Sequence, residues 1–193
     1  MGIVTAESLQ QWNYFMALES DLERLSRYVE FTDKNFSTFS IEIAHLFLAA
    51  ASEVDVVAKD LCASLDKNSK AKSIDRYRQV ITNYYPDIGT YQVMIPRHGL
   101  TFTPWENWAS EKSPLWWTSH NKVKHQRNEF YEKASLKNAL NCMAALFLLD
   151  ILLYLNRGVE RLDPPPVMFN PPRELGAVMS SFQARPALFL GRY

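Results

Sequence analysis

The stretch Trp116-Trp117-Thr118-Ser119-His120-Asn121-Lys122-Val123-Lys124-His125-Gln126-Arg127-Asn128 gathers two histidines, two lysines, an arginine and side-chain amides behind two tryptophans. An imidazole titrates near neutral pH and so can take or give a proton, and cations beside it can hold a phosphate. Acid–base cleavage of RNA needs that combination: a base for the 2′-hydroxyl, an acid for the leaving oxygen, and charge to stabilise the phosphorus oxygens. On a helix, residues three and four apart are neighbours, so Asn121 and His125 share a face while His120, Lys124 and Arg127 share the adjacent one. Between Lys112 and Lys137 six basic residues stand against Glu129 and Glu132. In a chain with 21 basic and 21 acidic side chains the positive charge is local, so no global field draws the molecule to nucleic acid or an anionic membrane.

Other chemistries have less behind them. The chain has no glycine-rich phosphate loop and no Gly-x-Ser-x-Gly elbow. His120 and His125 are five apart, a poor spacing for zinc, so no metal or other cofactor is expected. His45 reads as a core or interface residue, and His98, in a turn, as solvated. Of Glu53 and Asp55, one can orient His125, but a salt bridge to a lysine is the plainer role. Trp105, Trp108, Trp116 and Trp117 flank the basic stretch and are candidates for stacking on a base, core packing being favoured for at least two. Cys62 and Cys142 fall on apolar helical patterns and suggest a reducing, cytoplasmic setting. The N-terminal residues lack a basic region followed by an apolar run, and the apolar run Cys142–Leu155 is interrupted by Asp150 and shorter than a membrane span, so neither export nor a membrane is expected.

The elements that must position the stretch follow from periodicity. Trp12, Phe15, Leu18, Leu22 and Leu25 predict an amphipathic helix over about 6–30, capped by Thr5. Ser37 or Thr38 caps a second helix running to about Leu65, apolar on most sides and therefore central. Ser73 opens a shorter third helix that Pro86 ends. Tyr91–Ile95 and Leu100–Thr103 predict a small hairpin. Ser113 and Pro114 start a helix carrying the histidines, with Ser113 as cap and Pro114 as first helical residue. Ser135 caps the last helix, through Leu155. Six of ten prolines lie in the last thirty residues. The predicted fold is all-α: an up-and-down bundle of four to five helices over 1–158, a hairpin-like insertion at about 86–112, and an extended proline-rich arm over 159–193, lying on the bundle or on a partner.

His120-Asn121-Lys122-Val123-Lys124-His125, just before a long final helix, resembles the active-site motif of the HEPN superfamily over about Ala6–Leu155. That motif is an arginine, a polar residue often asparagine, three variable residues and a histidine. Asn121 and His125 match it, and His120 stands where the family has its phosphate-binding arginine. The resemblance implies a helical, metal-independent endoribonuclease or a degenerate RNA-binding relative. It assigns catalysis to His125, Asn121 and His120, and phosphate contacts to Lys122, Lys124 and Arg127. It further implies a homodimer with facing motifs, an antitoxin or defence-system partner, and a place in bacterial defence or toxin–antitoxin circuitry. The alternative is a non-catalytic module that dimerises and recruits a protein through the arm.

Overall fold

The computed structural model describes residues 8–175, 178–180 and 187–190. These residues form five α-helices: α1 Gln10–Leu25, α2 Ile41–Leu65, α3 Ile74–Tyr84, α4 Leu115–Phe130 and α5 Leu136–Asn156. Two small sheets accompany them. β1 (Val93–Ile95) pairs antiparallel with β2 (Leu100–Phe102) around a turn at Gly99, whose φ of 63° suits a residue without Cβ. β3 (Arg161–Leu162), β4 (Val178–Ser180) and β5 (Ala187–Phe189) form an antiparallel sheet in the order β3-β5-β4.

α2 and α5 make the most extensive helix pair, as their compositions require: apolar on most sides, each must be covered on most sides. α5 is the one described helix long and apolar enough to cross a membrane, and 83% of its most apolar window is buried inside the fold. Trp12 and Phe15 of α1 stack with ring centroids 5.2 Å apart, and Phe15 lies 5.2 Å from Phe147 of α5.

The helix starts differ from the sequence expectation for local reasons. Thr5 lies outside the described residues, and α1 runs only to Leu25. Ser40, not Ser37 or Thr38, caps α2, its hydroxyl accepting from the Ile43 N–H at 3.2 Å. Thr38 and Phe39 cannot join that helix because they pair as extended chain with the start of α5. Phe39 bridges Ser135, and the Leu136 N–H donates to the Thr38 carbonyl at 2.8 Å. Ser135 caps α5 as expected, accepting from Asn138. Pro114 is the cap of α4 and not its first residue, the Leu115 N–H being taken up by the side chain of Asn107 at 3.3 Å.

The proline-rich segment is more than an extended arm, because its apolar residues pair and bury. Leu162 and Leu188 are partners in the sheet and both fully buried. Before it, Glu19 of α1 accepts N–H groups from Val167, Met168 and Phe169 at 2.9, 2.8 and 3.3 Å. The indole N–H of Trp12 donates to the Pro164 carbonyl at 2.9 Å, and Asn170 exchanges two backbone hydrogen bonds with Met94 of β1. Burial pushes the Glu19 carboxyl upward even though the three N–H groups favour its charge.

Candidate functional site

α4 is short of apolar residues: only Trp116, His120 and Val123 are buried, and they seat it on the rest of the fold. Trp116 anchors its first turn, donating its indole N–H to the Pro104 carbonyl at 2.8 Å and packing edge-on against Trp105 at 5.3 Å. Trp105, Trp108 and Trp116 are buried, so they are packing and not platforms for a base. Toward its end α4 breaks. Gln126 has φ −141° and ψ 47°, far from helical values, and neither proline nor glycine stands there.

The groove beside the break gathers side chains from both sides of it. His120, Lys124, His125, Arg127, Asn128 and Glu129 line a groove of about 640 Å3, walled on the α2 side by Leu48 and Ser52. Lys124 and Arg127, neighbours on one row of a regular helix, both line the groove that holds His125. Asn121, expected on the face of His125, is exposed and lies outside the groove lining, as does Lys122, whose ammonium sits 5.2 Å from the Phe130 ring centroid. Of the six candidate residues, four therefore share one groove and two face elsewhere. Gln126, Leu48 and Ser52 are contributors that sequence reasoning missed, and the Gln126 break left no compositional trace.

The two imidazoles differ sharply. His125 is exposed. His120 is only 4% exposed, packed 5.4 Å from the Trp117 ring and 6.1 Å from that of Phe47, and its Nδ1 has no hydrogen-bond partner. Burial first, then the charge of Lys124, lowers its pKa to about 4, with Asp55 pulling weakly the other way. At neutral pH His120 is uncharged. It cannot do the work of a forked, permanently charged guanidinium. Arg127 is the arginine this groove has.

The surrounding polar residues are committed. Asp55 forms an ion pair with Lys59 and accepts the Tyr77 hydroxyl at 2.7 Å, the salt-bridge role expected for this helix. Outside the groove, His98 is not solvated. Its side chain is 6% exposed, packs 4.9 Å from the Phe31 ring, and lies 3.5 Å from the Glu30 carboxylate. His45 is exposed, in a separate groove between α1 and α2. Asp150 is fully buried in α5 with neither carboxyl oxygen partnered, and burial pushes its pKa well above the usual carboxylate range.

Comparisons with family models, with curated proteins and with solved structures find no match for this chain.

Proposed function

We propose that this chain is a HEPN-like protein acting on RNA, with Lys124 and Arg127 holding phosphate between α2 and α4 and His125 moving the proton. The observation that carries the reading is the groove that Lys124, His125 and Arg127 line together, which offers a guanidinium where the motif position holds the buried, neutral His120. Glu129 on the same lining repels excess anion, which favours a single seated phosphodiester over a polyphosphate.

Cleavage needs both an acid and a base. Each copy offers one exposed imidazole in this groove, so we read a single copy as an RNA binder and a homodimer, with two grooves facing, as the metal-independent ribonuclease. The helices are read as an up-and-down bundle of a soluble, cytoplasmic protein, in keeping with buried, unpaired Cys62 and Cys142. The setting in bacterial defence or toxin–antitoxin function, with a matching protein partner, comes with the resemblance. The alternative of a partner-recruiting arm has less support, because Pro164–Asn170 is already tied to α1 and β1.

The test is cleavage of a mixed RNA pool in EDTA by wild type and His125→Ala, with the product ends analysed. Expected are 2′,3′-cyclic phosphate ends and a loss of at least about 100-fold in rate in the variant. Equal cutting by the variant, or RNA neither bound nor cut by folded protein, would sink the reading.

A further inference from the structure

A second concavity lies apart from the His125 groove. It lies along the other flank of α4, about 960 Å3, between that helix, the Phe36–Phe39 segment and the first turn of α5. Lys122 projects into it, two residues from Lys124, and two residues on an α-helix are roughly 200° apart. α4 is therefore a ridge with a basic groove on each side. Lys122, Lys133 and Lys137 line the second groove against Glu106 and Glu132, and Glu132 lies 3.8 Å from Lys133.

Two large apolar side chains also lie on this lining without cover: Phe39, 46% exposed, and Leu115, 68% exposed. Phe39 is fixed in place, because its backbone bridges Ser135 and its ring stands edge-on to Tyr131 at 5.2 Å. An immobilised, half-exposed aromatic ring among lysines suits the face of an unpaired base, which stacks on such platforms while the cations track the backbone. A peptide partner would want a continuous apolar floor, and here hydroxyls and amides interrupt it. The N-terminal N–H groups of α5 do not serve an anion, since Phe36, Thr38 and Ser135 already accept from them.

Resting on the RNA reading above, we infer that the groove of Phe39, Lys122, Lys133 and Lys137 binds single-stranded RNA continuing across α4 from the His125 groove. A base stacks on Phe39 and the lysines hold the flanking phosphates. Duplex is excluded, because its bases offer no free face.

The experiment is fluorescence anisotropy with single-stranded RNA of about 4 and about 12 nucleotides across a salt series, a range of site sizes usual for strand tracks. Wild type, Phe39→Ala, Phe39→Leu, the pair Lys133→Gln with Lys137→Gln, and the pair Lys124→Gln with Arg127→Gln are compared, folding being checked by thermal melts. Both Phe39 variants are expected to weaken the longer RNA about tenfold and to leave the shorter one nearly unchanged. The Lys133/Lys137 pair is expected to lower the salt slope for the longer RNA by about 1.4, at roughly 0.7 per phosphate. If only the Lys124/Arg127 pair weakens the longer RNA, the second groove is not a strand track although the first remains an RNA site. Equal competition by duplex also overturns the inference. If wild type binds neither RNA at low salt, the RNA reading and this one fall together.

Discussion

His120 and His125 sit five residues apart and share one groove, yet His125 is exposed and His120 is buried. A protonated His120 would be a charge buried against Trp117, Phe47 and Val123 beside the Lys124 ammonium, so the folded protein holds it neutral down to about pH 4. The unfolded chain binds that proton near pH 6.5. Between those two values the unfolded state carries more protons than the folded one, so stability is complete above about pH 6.5 and falls as the pH drops toward 4. The loss from this one residue is at most about 3 kcal/mol. In His120→Leu, which suits the apolar surroundings and removes an unpartnered Nδ1, neutral-pH stability is expected within about 1 kcal/mol of wild type. The acid loss should shrink by the His120 share. Denaturant melts from pH 7 to pH 4 decide it: identical acid slopes in both proteins would show that His120 titrates freely. The residue types of this site were legible in the sequence, but their protonation was not, since the burial of His120 comes from Phe47 of α2, distant in the chain.

At the scale of elements, helix identity was readable because it rests on local spacing, and contacts between distant segments were not. Trp12, Phe15, Leu18 and Leu22 announced α1, Ser135 announced α5, and Tyr91–Ile95 with Leu100–Thr103 announced the β1–β2 hairpin. The start of α2 was misplaced because Thr38 and Phe39 are drawn into pairing with α5, a contact nearly a hundred residues away in sequence. The break at Gln126 had no proline or glycine to announce it. Glu19, a charged residue in an amphipathic helix, is only 1% exposed and fastens the proline-rich segment. Glu19→Ala strands the N–H groups of Val167, Met168 and Phe169, and is expected to cost about 3 kcal/mol. Limited proteolysis should then cut near Val167, already 71% exposed, well before the helices. Glu19→Gln keeps an oxygen for Met168 and Phe169 and should fall between the two. A Glu19→Ala protein that melts and resists protease like wild type would show that Trp12 and Asn170 hold the segment without it.

At the scale of the whole molecule, a neutral chain with a local excess of basic residues beside one ridge must obtain affinity from local contacts, and the proposed cleavage needs a second proton-transfer group. With His120 buried, the proposed reading takes the second imidazole from the His125 of another copy, since a two-fold dimer would bring two identical patches together. On that reading catalysis is a property of the pair. Wild type and His125→Ala, mixed in equal amounts and allowed to exchange subunits, form about a quarter wild-type dimers, half mixed dimers and a quarter variant dimers. If both imidazoles are needed, cleavage per total subunit should fall to about a quarter of the pure wild-type value, whereas independent subunits would retain about half. RNA binding by the same mixture should hold steady, since Lys124 and Arg127 are untouched in every species. A retained half would make each groove self-sufficient and move the second proton-transfer role to water or to another group within the same chain.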